Sequence, residues 1–561
     1  MAIGVDGEPR TEPARPAGWA AIRPLVLRLH FYAGVFVGPF LLIAALTGIA
    51  YVWTPQLEQA VYAHELHVPA AAGVVPLDQQ VLVARDQVPD GKIIGVRPAP
   101  SATDTTQVIF DRPGLAPSYR YTVFVNPHDG EIRGALETYG SGQALPVRGW
   151  IDTLHRNLHL GDFGRLYSEL AASWLWVITL AGLALWLGRR RRLRAVLLPS
   201  AGKPGRRRLR SWHGSTGLWI AAGLLFLSAT GLTWSLHAGA NIADLRSSLD
   251  WTTPSISSGS ASPGDVGWQA VRDATTRAGL SDPVEIRPPA NGGYVVQQVG
   301  RGWPSKQDSM AVDSGTGKIT GTLRFADYPL AAKLSRWGID AHMGLLFGVA
   351  NQVVLTVLGV LLACVVGWGY RMWWLRGRAG RGRWGGDAAG SGGLRSGGAR
   401  SGGLWSGGES DGTRFGRSWT AGESGGARSG ELRSGGEPRG TRFGRMRSSG
   451  VQSGRFSSDG ASDGIRSDRL PSADARPSDP GSPPDDRGDR PAPHPARGAR
   501  DGATFGRLPL RGAWRRIPGR VLAPVLVGVA VVGWFLPVFG VSLLGFLAVD
   551  CLLGLRQEAA R

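Results

Sequence analysis

Four stretches of the chain are apolar over the length that a bilayer demands, and this limits what it can fold into. A helix crossing the hydrocarbon core needs about 20 apolar residues. Phe31–Trp53, Leu170–Gly188, Gly214–Leu236 and Met343–Tyr370 each approach or exceed that length without a charged side chain. In lipid the backbone must satisfy its own hydrogen bonds, so such runs span as helices. A fifth apolar stretch, Val521–Leu555, contains Pro537 and Asp550 and lies between Arg520 and Arg556. It is long for one crossing, and basic residues at both ends favour a hairpin that returns to the same side. The first run is longer than a signal-peptide core, and no small-residue cleavage site clearly follows it, so it reads as a span.

Charge sets the orientation. The chain carries a net +20 at pH 7, and the position of that charge decides its meaning. Arg23 and Arg28 precede the first run, Arg371, Arg376 and Arg378 follow the fourth, and residues 189–210 hold ten basic side chains and no acid. All of these fall on one side if the N-terminus is cytoplasmic, as short inner loops require. The excess charge is therefore a topology signal, and no nucleic-acid partner is expected. The two cysteines, Cys364 and Cys551, both lie in apolar runs, which excludes a disulfide framework and a cysteine-based zinc or iron–sulfur site. The expected organisation is a cytoplasmic tail at 1–22, spans at 23–53, 170–188, 214–236 and 343–370, a basic loop at 189–213 and a hairpin at 517–561. Extracytoplasmic segments 54–169 and 237–342 alternate like strands, as in Tyr121–Val125, and each is expected to form a small α+β domain. Residues 371–516 are Gly/Ser/Arg-rich and contain Gly-Thr-Arg-Phe-Gly-Arg at 412–417 and 440–445; too little of this stretch is apolar to offset ordering entropy, so a disordered cytoplasmic linker is expected.

An internal duplication locates the chemistry. His30-x3-Gly34 followed by Thr47-Gly48 recurs as His213-x3-Gly217 followed by Thr230-Gly231, 183 residues on. His159-x-Gly161 recurs as His342-x-Gly344, also 183 residues apart, and Gly130–Gly134 recurs as Gly317–Gly321, 187 apart. The chain is two copies of helix, outer segment, helix. If the copies pack about a pseudo-two-fold axis, His30 faces His213 near the cytoplasmic surface and His159 faces His342 near the outer one. Two imidazoles facing each other in a helical bundle suit a six-coordinate haem. A glycine one turn beyond each of the first two histidines lets a flat macrocycle approach. A lone boundary histidine is more often an interfacial polar group; two equivalent pairs shift the balance toward ligation. No Cys-x-x-Cys-His is present, so one or two non-covalent haem b groups are expected.

Other residues carry weaker signals. His155, one helical turn before His159, is an alternative ligand or a contact to a propionate or substrate, although its counterpart at a spacing of 183 is Gly338. His237 ends the third span and has no repeat partner. His64-x2-His67 and His128 read as surface positions, the first pair being a weak metal signal. Arg156, Arg165 and Arg336 would hold propionates or an anionic substrate, or would anchor the membrane surface. Thr47-Gly48 and Thr230-Gly231 read first as close-packing positions between helices.

Together His30-x3-Gly34…Thr47-Gly48, Leu154-His155-Arg156…His159-x-Gly161, His213-x3-Gly217…Thr230-Gly231 and His342-x-Gly344 resemble the PepSY-associated transmembrane family over about residues 23–376. Val123–Leu136 and Met310–Leu323 look like PepSY segments. The resemblance implies an inner-membrane protein, often linked to iron acquisition, with ferrisiderophore reductases among the members. No Gly-x-Gly-x-x-Gly between strand and helix suggests a fused reductase domain. The expected function is transmembrane electron transfer. A cytoplasmic or membrane donor, not identified by the sequence, would reduce a haem at His30/His213. The electron would pass to a haem at His159/His342 and reduce a ferric siderophore or other ferric chelate outside. The alternative is a non-enzymatic membrane protein whose outer segments bind or regulate a partner such as a peptidase. A transporter is a third reading, disfavoured by copies of the same orientation and by few polar groups at mid-membrane.

Overall fold

The computed structural model describes residues 19–188, 193–202, 204–257, 262–290, 292–381 and 519–559. The expected N-terminal tail up to residue 18 and the expected disordered linker beyond residue 381 lie outside them.

The first copy runs α1 (Trp19–Val52), short α2 (Thr54–Val61) and α3 (Ala63–Leu66), α4 (Leu77–Gln87), β1 (Lys92–Arg97), β2 (Thr106–Asp111), β3 (Tyr119–Val125), β4 (Ile132–Tyr139), α5 (Pro146–Asn157) and α6 (Gly161–Leu187). After the short α7 (Leu193–Leu197) the second copy repeats it. Its elements are α8 (Arg206–Leu232), α9 (His237–Ser248), α10 (Gly267–Arg277), β5 (Val284–Ala290), β6 (Gly293–Gln298), β7 (Ser309–Asp313), β8 (Ile319–Leu323), α11 (Leu330–His342) and α12 (Gly348–Arg381). The C-terminal helices are α13 (Gly519–Phe535) and α14 (Pro537–Ala559).

Among the described residues, α1, α6, α8, α12 and α14 are long and apolar enough to cross a membrane. α1 and α8 each pack on both α6 and α12, so the four close a ring with α1 and α8 on one diagonal. All four spans begin elsewhere than the apolar runs indicate. α1 starts at Trp19 rather than 31, α6 at Gly161 rather than 170, α8 at Arg206 rather than 214, and α12 at Gly348 rather than 343. The three that begin early carry polar or charged first turns that hydropathy alone does not see, while the residues just before Gly348 form a turn. Gly161 and Gly348 both sit at positive φ, +57° and +55°, where a side chain would be strained, and each opens its helix after a sharp turn.

The hairpin expected at the C-terminus turns at Leu536, between α13 and Pro537. A Cβ at Gly540 would lie 2.5 Å from the Gly533 carbonyl oxygen, so the turn admits no side chain there. α14 lies on α6, where Trp174, fully buried, donates to Ser542 Oγ at 2.9 Å and packs on Phe539 and Phe546. Asp550, the lone acid of this stretch, pairs with Arg28 of α1.

The two outer segments do not form separate domains. Their strands join in one eight-stranded antiparallel sheet, ordered β4-β3-β2-β1-β5-β6-β7-β8. The copies meet at β1 and β5, where Val96 pairs with Ile286 and Arg97 bridges to Glu285 at 2.8 Å. One core serves both copies: Val96, Phe110 and Val123 pack with Ile286, Val296 and Val312 under α4 and α10. Those two helices cap each other. The Asp78 carboxylate of α4 accepts the N–H groups of Trp268 and Gln269, and Gln269 Oε1 accepts the N–H of Leu77. A two-domain reading fails because each four-stranded half would expose an apolar edge and a half-covered face.

This shared core makes a prediction. Ile286→Ala should cost about 2–5 kcal/mol and should lower amide protection in β1–β3 together with β5–β7. Loss of protection confined to β5–β8 in hydrogen exchange would show that the halves fold separately.

Candidate functional site

The four-helix ring brings the first histidine pair together. His30 on α1 and His213 on α8 lie 6.0 Å apart between ring centres, with planes at 80°. His30 Nδ1 is 3.0 Å from the carbonyl oxygen of Ile178 on α6, and His213 Nδ1 is 2.9 Å from that of Val365 on α12. A carbonyl only accepts, so each Nδ1 carries a proton, and in the neutral imidazole Nε2 is then the nitrogen able to ligate. Gly182 makes room for the first ring, since a Cβ there would sit 3.0 Å from His30 Cε1; at Gly369 a Cβ would touch His213 Cε1 at an ordinary 3.7 Å. A Cβ built on Gly34 or on Gly217, one turn beyond each histidine, would meet nothing within 4 Å.

The second pair is not the one that the spacing of 183 residues indicates. His159 is exposed, sits at φ +58° after the end of α5, and stacks on Trp150 at 4.9 Å. His155, near the end of α5, is placed as His342 is placed at the end of α11. His155 Nδ1 lies 2.9 Å from Thr47 Oγ1, and His342 Nδ1 lies 2.6 Å from Thr230 Oγ1. Each threonine hydroxyl spends its own proton on a helix carbonyl, Thr47 on Ile43 and Thr230 on Phe226, both at 2.8 Å. The imidazole Nδ1–H therefore donates to the hydroxyl, and again Nε2 is left with a lone pair. Gly48 provides the space for His155, since a Cβ there would lie 3.3 Å from His155 Cε1; at Gly231 a Cβ would touch His342 Cε1 at an ordinary 3.9 Å. The Thr-Gly motif thus holds a histidine as well as allowing close packing.

The offset explains the misreading. From Gly130/Gly317 onward the copies are 187 residues apart, and His155/His342, Ile178/Val365 and Gly161/Gly348 all obey that spacing. Four residues gained in the second copy's outer segment make a spacing of 183 coincide at His159 by chance. The signal was present as His155-x5-Gly161 and His342-x5-Gly348.

His155 and His342 line one cavity of about 600 Å³ between the ring and the sheet, with Gly48, Gly231 and several arginines. Burial holds the His155 imidazole down to about 4 and the His342 imidazole down to about 3, so both are neutral near pH 7 and able to ligate. His237 takes no part: it is exposed, and its backbone N–H donates to the fully buried Glu169, which caps α9. His64 contacts Arg133, and His67 contacts Asp104 and Gln59. Among the described residues no group of three or more His, Cys, Asp or Glu side chains is arranged to hold a metal.

A flat ligand with a central ion fits the donor set. A metal–imidazole bond is about 2 Å long, so two rings ligating one ion from opposite faces have centres about 6 Å apart. Nδ1 bonded to a protein acceptor is also the arrangement that orients metal-ligating histidines.

Residues 27–376, more than half of the chain, match the family model of the PepSY-associated TM region, and the chain belongs to that family. The match includes both histidine pairs and ends before the C-terminal hairpin. No curated protein matches the chain.

The threonine bonds are testable. Thr47→Val and Thr230→Val each leave a buried Nδ1–H without an acceptor and should cost about 1–3 kcal/mol, measured by denaturant unfolding in detergent. Serine at either position should restore most of the loss. Equal stability of the valine and serine variants would show that the bonds do not hold the rings.

Proposed function

We propose that this membrane protein is a haem-containing transmembrane electron-transfer protein that reduces a ferric siderophore or other ferric chelate at the sheet side of the cytoplasmic membrane. The reading is supported above all by the His30/His213 pair, with ring centres 6.0 Å apart and each Nδ1 committed to a helix carbonyl. Haem b, when bound, supplies one-electron oxidation and reduction.

The chain's own residues set the conditions for that chemistry. His30 and His213 would hold iron from diagonally opposed helices, and His155 and His342 would hold a second iron on the sheet side. The carbonyls of Ile178 and Val365 and the hydroxyls of Thr47 and Thr230 fix the ring orientations and raise ligand basicity. Leu41, Leu224 and Leu362 belong to the apolar core of the ring and form an apolar part of the cavity lining beside His155 and His342. The cavity beside His155 and His342 opens between ring and sheet, where a chelate can approach. Reduction is useful there because Fe(II) binds hard oxygen donors less tightly than Fe(III). The basic run at 189–210 supports a cytoplasmic location for the opposite end, with His30 and His213, where a soluble or membrane donor would deliver electrons.

The assignment separates the histidines. Alanine at His30 or His213 should remove one haem from the visible spectrum of the purified protein, and alanine at His155 or His342 should remove the other. His159→Ala and His237→Ala should keep the wild-type haem content. Loss of haem from His159→Ala with none from His155→Ala would overturn the second site, and unchanged spectra in all four ligand variants would overturn the haem reading.

A further inference from the structure

The sheet-side cavity is unusually basic for a space that abuts a membrane bundle. Five guanidiniums line it, from Arg148, Arg156, Arg165, Arg301 and Arg336, with the single carboxylate Asp152 among them. Arg148 is paired with Glu58 at 3.3 Å and Arg336 with Asp340 at 2.8 Å. Five cations thus meet three carboxyl groups, an excess of two positive charges.

The surplus is concentrated at identifiable side chains. Arg165 donates to the Trp234 carbonyl oxygen, Arg301 reaches only the Met343 sulfur, and Arg156 lies over the Tyr139 ring at 5.4 Å. None of these three has a carboxylate within ion-pair distance among the described residues. The Nε atoms of Arg148 and Arg156 are buried without a hydrogen-bond partner. Arg301 is held down to about 10 by its own burial and by the charges of Arg336 and Arg148, yet it stays protonated at pH 7. A Cβ at Gly142 would lie 2.9 Å from Arg301 Nη2, so the loop after β4 is kept bare where this guanidinium crosses from the second copy to the first. Buried like charges without counter-ions are costly, and a resident dianion removes the cost.

We infer that this cavity is a binding site for a pair of carboxylates, held chiefly by Arg156 and Arg301. Two sources share that chemistry. One is the propionate pair of a haem at His155/His342, and this arm rests on the function proposed above. The other is a soluble polycarboxylate chelate of iron. Arginine suits either, since its planar fork grips a carboxylate with two parallel hydrogen bonds.

Metal-free protoporphyrin IX tests the site without any iron–histidine bond. The full chain in detergent is titrated with the porphyrin diacid and with its dimethyl ester, followed by porphyrin fluorescence. The diacid should bind about tenfold or more tightly than the diester, and Arg156→Gln or Arg301→Gln should each cost about tenfold for the diacid while leaving the diester unchanged. Unchanged diester binding also reports that a variant is folded. In a second titration, citrate replaces the porphyrin. If citrate binds wild type and loses affinity in both variants while porphyrin shows no preference for the diacid, the carboxylates are those of a soluble chelate. If neither probe distinguishes wild type from the variants and the diester binds as well as the diacid, the inference is overturned. The haem spectrum of the same preparations reports on iron ligation separately, so failure of the haem reading and failure of this one are told apart.

Discussion

An imidazole buried in a membrane bundle has one N–H that must find an acceptor, and the placement of that acceptor governs the rest of this structure. Four histidines meet the demand through Nδ1: two on helix carbonyls, two on threonine hydroxyls whose own protons are already committed. Each bond fixes which ring nitrogen carries the proton. Two of the rings also crowd a neighbour, which accounts for glycine at 48 and 182. Without such bonds a buried polar ring would carry an unmatched desolvation cost, and the copies would have no reason to keep these Thr-Gly and glycine positions at matched spacing.

The duplication supplies the geometry and then departs from it in a telling way. Ring packing makes α1 and α8 diagonal partners, so two equivalent histidines approach each other across the axis. The sheet obeys the same logic, with β1 and β5 at its centre. The charges do not. Arg148, Asp152 and Arg156 lie on α5, while the corresponding positions of the second copy, at a spacing of 187, are Ser335, Ile339 and Met343. The sheet-side cavity is therefore symmetric in its imidazoles and asymmetric in its guanidiniums.

Much of this was legible in the sequence. The apolar runs mark the helices, and the repeated His-x3-Gly marks His30 and His213, because helical periodicity survives duplication. The hairpin could be read from Pro537 and the flanking arginines. The fusion of the two outer segments into one sheet could not, since the Val96/Ile286 pairing links strands far apart in sequence and leaves no local signature. The spacing of 183, extended past an insertion, pairs His159 with His342 and leaves His155 only as an alternative ligand. Gly130/Gly317 already carried the later spacing, but a histidine with a glycine two residues on, as at 159 and 342, imitated a repeat. His159 is left with a left-handed backbone and a tryptophan neighbour. The partners that fix each tautomer, Ile178 and Val365, are backbone carbonyls and have no sequence signal of their own.

The claim that two histidine pairs each hold a haem is tested most directly by low-temperature electron paramagnetic resonance of the oxidised protein, with haem counted per chain. The account predicts two low-spin ferric centres with two imidazole ligands each. One should give the highly anisotropic signal of nearly perpendicular imidazole planes, as the 80° between His30 and His213 requires. A chain that takes up no haem on reconstitution, or that gives only high-spin iron, would contradict it.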